Sequence, residues 1–204
     1  MKAIGFNRPL PVSNPEALLD IELPEPELRP HDILVAVQAV SVNPVDVKVR
    51  AAHTSEGGAY RVLGYDAAGI VQAVGSEVRN FQVGDEVYYA GALNRQGSNA
   101  QLQAVDARIA AKKPRSLDFA QAAALPLTAI TAWETLFDRL DVNKPVAGDA
   151  NALLLIGGAG GVGSLAIQFL KKLTDIQVIA TASRPESRSW GEKLGADFVI
   201  NHHE

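Results

Sequence analysis

The 204-residue sequence contains no cysteine. That excludes a disulfide framework, a thiolate zinc site, an iron–sulfur cluster and a cysteine nucleophile, and it fits a reducing compartment. Long apolar runs are missing as well: nothing approaches the ~18 unbroken apolar residues of a membrane span. The opening stretch MKAIGFNRPLPV has neither the apolar core nor the small-residue cleavage site of a secretory leader, so the expected location is the cytoplasm. There is no excess of positive charge. With 19 Lys plus Arg against 23 Asp plus Glu, the net charge of −4 gives no electrostatic reason to expect nucleic acid or anionic lipid as a partner. Internal repeats, low-complexity tracts and long charge blocks are absent too.

What is present describes a globular chain. A hydrophobic share of 47% and a charged share of 21% are ordinary for a folded protein, and the length allows one large domain or two small ones without a metal or disulfide staple. The first part reads as short strands: Lys2–Phe6, the β-branched Ile33–Val40, Gly69–Gly75 between glycine turns, and Glu86–Ala90 after Gly84-Asp85. Such punctuation predicts a small barrel or rolled sheet. The pattern changes near Pro114. An Ala- and Leu-rich segment from Ser116 to Leu140 predicts two helices or a kinked one, broken at Pro126, with Ser116 as N-cap. Ala152–Ile156 is a continuous apolar run that predicts a strand buried on both faces of a parallel sheet. Glycines follow, then a helix from Val162 to Leu173, a strand at Gln177–Ala182, a helix over Glu186–Leu194 stopped by Gly195, and a strand at Phe198–Ile200. This order, strand–helix–strand–helix–strand, is half of a doubly wound sheet.

The strongest chemical signal is Gly158-Ala159-Gly160-Gly161-Val162-Gly163. Its spacing is G-x-G-x-x-G, a weak motif by itself, but here it lies between a strand and a helix. Gly158 is expected to permit the tight turn, Gly160 to let the backbone approach a pyrophosphate, and Gly163 to let helix and strand pack closely, with the free N–H groups of the helix start facing the phosphates. The bland alternative is a glycine-rich turn that binds nothing. An NAD site places an acid at the end of the second strand, about 20 residues on. That position here reads Ala182-Ser183-Arg184, with Arg188 one helical turn later. A hydroxyl followed by a guanidinium suits a 2′-phosphate, so the expected cofactor is NADP(H), unless both arginines are merely solvated helix-start residues.

With these residues in view, the chain resembles the medium-chain dehydrogenase/reductase superfamily, and within it the zinc-free quinone oxidoreductase (zeta-crystallin-like) branch. The segments that carry the resemblance are Ser41–Asp46, Leu63–Val71, Val83–Val87, Ala122–Thr128, the glycine motif and Leu194–Asp197. Together they cover essentially the whole chain. The resemblance implies an α/β protein with a GroES-like β-rich catalytic domain over 1–125 and the first half (βαβαβ) of a Rossmann sheet over 126–204, with the active site in the cleft between them. It implies NADPH-dependent hydride transfer to a quinone or similar conjugated carbonyl acceptor, and a homodimer as the working form. Asn43 and Asp46 match positions near the nicotinamide and the substrate cleft, Tyr65 matches a position lining it, and Thr128 matches a position at the cofactor. Each has a plainer alternative. Asn43-Pro44 reads equally as a turn with Asp46 capping the next helix, and Thr128 as a helical threonine bonding its own backbone.

The zinc-dependent branch has Cys where this chain has the Ser41–Asp46 segment, His-Glu where it has Tyr65-Asp66, and a four-cysteine lobe for which Tyr89–Gln101 is too short. No metal is therefore expected. Asp66, His31 and His53 share no ligand spacing, and His202-His203 reads as a solvated tail. A complete doubly wound sheet has roughly six strands, and this chain shows three. Truncation is thus expected, and with it a different possibility: a non-catalytic folded module that keeps the phosphate-binding turn alone. A reductase of alkenal or enoyl double bonds, on the same fold with the same cofactor, is the third reading.

Overall fold

The computed structural model describes all residues except 54, 55, 146, 149, 150, 202 and 204 and the side chain of residue 56. In chain order its main elements are β1 (Lys2–Phe6), β2 (Leu19–Glu22), β3 (Asp32–Ser41), α1 (Pro44–Ala52), β4 (Arg61–Val62), β5 (Asp66–Val74), β6 (Glu86–Ala90), β7 (Leu102–Asp106), β8 (Ala110–Lys112), α2 (Phe119–Ala123), α3 (Pro126–Trp133), β9 (Ala152–Leu155), α4 (Gly161–Leu173), β10 (Gln177–Thr181), α5 (Pro185–Lys193) and β11 (Phe198–Ile200). Contacts divide the chain into two compact units, Met1–Leu127 and Thr128–Glu204. Among the described residues no helix is long and apolar enough to cross a membrane.

The first unit is built on a five-stranded antiparallel sheet, β7-β3-β5-β6-β8, beside a three-stranded one, β2-β1-β4. Alternation along β3 sends Ile33 and Val35 inward, where they meet Val71, Val87, Tyr89 and Val105 in the main core. The β3–β5 ladder runs from Ile33↔Val74 to Ser41↔Asp66, with register shifts at Leu34/Val35 and Val37/Ala39. β5 therefore starts three residues before the expected Gly69, because Asp66–Ala68 are paired on both sides, with β3 and with β6. α2 begins one turn into the predicted helical segment. Its N-cap is Asp118, not Ser116: the Asp118 carboxylate accepts from the Gln121 N–H at 2.7 Å while the Gln121 side chain accepts from the Asp118 N–H at 3.1 Å. A full reciprocal box outcompetes a lone serine. Pro126 then opens α3, where its missing N–H is no loss, and a wider turn over Glu134–Arg139 follows.

In the second unit β9, β10 and β11 are parallel in the order β11-β10-β9. Leu153, Leu155, Val178, Ala180 and Val199 pack with Ala166, Ile167 and Leu170 of α4 and with Leu194 and Ala196 after α5. The expectation that the Ala152–Ile156 strand is buried on both faces is not met: Leu154 is 55% exposed and Ile156 84%. Two successive right-handed crossovers that step in the same direction put α4 and α5 on one face. The other face, which carries Leu154, Phe198 and Ile200, gets no helix from this unit's described residues.

Candidate functional site

In the first unit three polar side chains meet at one end of the sheet. β3 ends at Ser41, opposite Asp66, and the chain turns at once through Asn43 into α1. That turn carries Asn43 back over the start of β5. The Asn43 amide nitrogen donates to Asp66 Oδ2 at 2.8 Å, and the Leu127 N–H, in the first turn of α3, donates to Asp66 Oδ1 at 2.8 Å. Asp46, at the third position of α1, accepts from the Asn43 N–H through Oδ2 at 2.8 Å and from the Gly64 N–H through Oδ1 at 2.9 Å. Asn43, Asp46 and Asp66 are all buried. Asp46 thus does cap α1, and it also ties α1 to the loop before Tyr65. Tyr65 itself is only 2% exposed, and its hydroxyl accepts from the Arg61 guanidinium at 3.4 Å.

Asp66 is the perturbed group of this cluster. Burial pushes its carboxyl up to about 6; the Asn43 and Leu127 donors pull the other way, and the negative charge of Asp46 adds to the rise. The ordinary value is 3.8, so between there and about 6 the folded state holds the proton more tightly than the unfolded chain. Stability from this group is complete below the ordinary value and is lost as pH rises through the folded one. Urea unfolding of an Asp66→Asn variant will show it: relative to the parent, the variant gains ~1–3 kcal/mol between about pH 4 and pH 7. A constant difference across that range would mean that Asp66 does not titrate in the fold.

The second unit carries the glycine turn. Gly157, with φ 71°, takes the left-handed conformation that the tight turn needs. This corrects the expectation for Gly158, which serves close packing instead: a Cβ there would stand 2.6 Å from the Ala180 methyl. A Cβ on Gly163 would meet the Gly157 carbonyl oxygen and Gly158 Cα, each at 2.7 Å. Thr181 at the end of β10 secures the turn, its hydroxyl accepting from the Gly157 N–H at 2.9 Å and its carbonyl from the Gly158 N–H at 3.1 Å. Gly160 is the N-cap of α4, and the first helical bond runs from the Ser164 N–H to the Gly160 carbonyl at 2.8 Å. The N–H groups of Gly161, Val162 and Gly163 therefore have no partner inside the helix.

Two grooves flank this turn. One, of about 420 Å³, is lined by Ala159, Gly160, Thr181, Ser183, Arg184 and Ser187. The other, of about 310 Å³, is lined by Gly161, Val162 and Gly163 together with Thr135 and Leu136. Gly157 and Gly160 border both. Arg184 is the exposed N-cap of α5; the Arg188 N–H bonds its carbonyl at 3.0 Å, and Arg188 lines neither groove. Thr128 places its methyl 3.0 Å from where a Cβ of Gly161 would stand. These residues fit a dinucleotide: bare backbone where phosphates need close approach, a helix start facing them, and a hydroxyl and a guanidinium with no acid between Thr181 and Arg184.

Residues 29–115 match the alcohol dehydrogenase GroES-like domain. The whole chain is 46% identical to a zinc-type alcohol dehydrogenase-like protein of Staphylococcus aureus (strain COL) and covers 61% of it. Over 90% of its length it is 36% identical to the chloroplastic NADPH-dependent alkenal/one oxidoreductase of Arabidopsis thaliana, covering 48% of that protein. All of the chain superposes on 59% of a Rhizobium etli protein named as a zinc-dependent alcohol dehydrogenase, with a TM-score of 0.96 and 59% identity. All of it likewise superposes on 59% of the Escherichia coli quinone oxidoreductase solved with NADPH, with a TM-score of 0.76 and 28% identity. These likenesses support the medium-chain dehydrogenase/reductase superfamily. The chain spans about three fifths of the length of the Staphylococcus aureus and Rhizobium etli proteins.

Some of these similar proteins are named for zinc, and the candidate ligands of this chain are otherwise engaged. There is no cysteine, and among the described residues no three His, Cys, Asp or Glu side chains come together. Asp66 has both oxygens engaged by N–H donors. His31 pairs with Glu77 at 3.0 Å, and the ring of His53 packs edge-on against Phe6 at 5.4 Å. His202 lies outside the described residues.

Three contributors escaped the sequence reading. Gly157 could have been found from the Gly157-Gly158 pair, since either can adopt a left-handed turn. Asp66 and Thr181 carried no local signal. Asp66 matters through partners 23 and 61 residues away, and Thr181 through one 24 residues away.

Proposed function

We propose that the protein carrying this chain is an NADPH-dependent oxidoreductase of the zinc-free quinone reductase branch, acting on a quinone or a similar conjugated carbonyl acceptor. The observation that carries this reading is the groove beside the glycine turn, where Ser183 and Arg184 stand in place of the acid that would hold an unphosphorylated ribose. In the proposed roles, the start of α4 binds the pyrophosphate, Thr128 and Gly161 shape the wall behind it, and Ser183 and Arg184 grip the 2′-phosphate, with Arg188 adding positive charge nearby. NADPH, when bound, supplies the hydride. Residues 1–125 act as the catalytic domain and 126–204 as the cofactor domain. Asn43 and Asp46 order the polar end of the catalytic sheet, and the Tyr65 hydroxyl, polarised by Arg61, supports charge developing on the acceptor oxygen.

The test is a fluorescence titration with NADPH, with NADH as control, followed by a quinone turnover assay. NADPH is expected to bind more tightly by about tenfold or more, the worth of one charge-assisted phosphate contact. Equal binding of both cofactors would refute the 2′-phosphate reading. Similarity to the Arabidopsis alkenal/one oxidoreductase favours a second reading, reduction of an activated carbon–carbon double bond. A parallel screen of quinones and enones separates the two.

A further inference from the structure

Both oxygens of Asp66 are occupied by donors, Oδ2 by the Asn43 amide nitrogen and Oδ1 by the Leu127 N–H. An ionised carboxylate only accepts, whereas a neutral one must also point an O–H at something. A proton placed on the lone pair that either donor uses would face an N–H, although each oxygen keeps a second lone pair. The two donors differ in what they can do about it. Leu127 offers a backbone N–H held in the first turn of α3. Asn43 offers a primary amide, and half a turn about its last torsion exchanges donor for acceptor.

We infer that Asp66 is a positioning residue whose charge state sets the orientation of the Asn43 amide. With Asp66 ionised, Nδ2 of Asn43 faces it. When solvent delivers a proton to Oδ2, the amide turns over, Oδ1 of Asn43 accepts the new O–H, and the Leu127 bond stays on Oδ1 of Asp66. Asn43 then presents its NH₂, in place of its oxygen, to the side where the α1 capping box sets it against the Asp46 N–H. The catalytic consequence rests on the proposed function, in which Asn43 belongs to the reaction site.

The surroundings let both forms exist near neutrality. Burial holds the carboxyl up to about 6. Asp46 on α1 is the charge that faces it, with its own oxygens on the Asn43 and Gly64 N–H groups. β4 brings Arg61, directed to Tyr65 and the Leu93 carbonyl. β6 brings Tyr88 and Tyr89, the latter bonded to Gln103, and at its far end Glu86, paired with Lys113. β3 carries only Asp32, at its far end and paired with Arg95. α2 and α3 carry no ionisable side chain.

The experiment is an NMR titration of the labelled chain from about pH 5 to about pH 8, following the Asp66 carboxyl carbon, the Asn43 side-chain NH₂ pair and the Leu127 amide. The Asn43 pair is expected to titrate with the carboxyl, at a midpoint near 6, while the Leu127 amide keeps its protection from exchange. Asp66→Asn imitates the protonated form, and its Asn43 signals should match the low-pH parent at every pH. An Asn43 pair that ignores the carboxyl titration, or a Leu127 amide that loses protection instead, would overturn the inference. Should the variant fail to fold, the parent titration decides alone. If quinone turnover is absent, the proposed function falls, while the titration still decides the amide reorientation.

Discussion

A glutamate in place of Arg184 is expected to weaken NADPH binding by about 10- to 100-fold and to leave NADH binding within about threefold of the parent. Arg184 caps α5 at the rim of the groove beside Ser183 and is exposed, its guanidinium without a hydrogen-bond partner among the described residues. A guanidinium in that state is available to a phosphate, and charge-assisted contacts of this kind are worth roughly 1.5–3 kcal/mol. Glutamate adds repulsion toward the 2′-phosphate and supplies an acid of the sort that binds ribose hydroxyls. The two cofactors should therefore move apart in fluorescence titrations. A loss shared equally by NADPH and NADH would show that Arg184 acts on something common to both, such as the placement of α5.

The second large effect concerns Gly163. An alanine there puts a methyl 2.7 Å from the Gly157 carbonyl oxygen and from Gly158 Cα. Both obstacles are backbone, so relief requires moving the turn or the start of α4. Overpacking of this kind costs roughly 1–3 kcal/mol, and dinucleotide affinity should fall by about tenfold or more, because the same displacement misdirects the N–H groups proposed to bind the pyrophosphate. Gly161→Ala is the control. Its methyl would meet only the Thr128 methyl, at 3.0 Å, and a side chain can yield. Thermal unfolding and cofactor titration of the pair should separate them clearly; equal behaviour would mean that the close contact at Gly163 is relaxed in solution.

Most of the architecture was legible residue by residue. Lys2–Phe6 and Glu86–Ala90 are strands as read, Pro126 marks the break between α2 and α3, and Gly195, with φ 102°, stops the chain after α5. These are local outcomes: side-chain alternation, a missing N–H, a left-handed glycine. The misreadings have a common cause. Ser116 lost to Asp118 because a cap is chosen by which partner lies three residues on. Ile156 and Leu154 proved exposed because a run of apolar residues does not say how many helices will cover it.

The glycine turn shows the same division. Its spacing announced a phosphate-sized approach of backbone to ligand, but which glycine turns and which merely packs depended on Ala180, on the neighbouring strand. Ser183 and Arg184 could be read because they follow β10 by one residue and so sit where a second strand must end. Asn43 and Asp46 could be named, but not what they hold. The amino-acid order by itself carried the strand–helix alternation, the lack of cysteine and the spacing of the glycine turn, since all of these are read within a few residues along the chain. Only the tertiary structure decided that Asp66 joins Asn43 to Leu127. That junction exists because β3 and β5 pair in one register, and register is set by the burial of a whole sheet face rather than by any single residue.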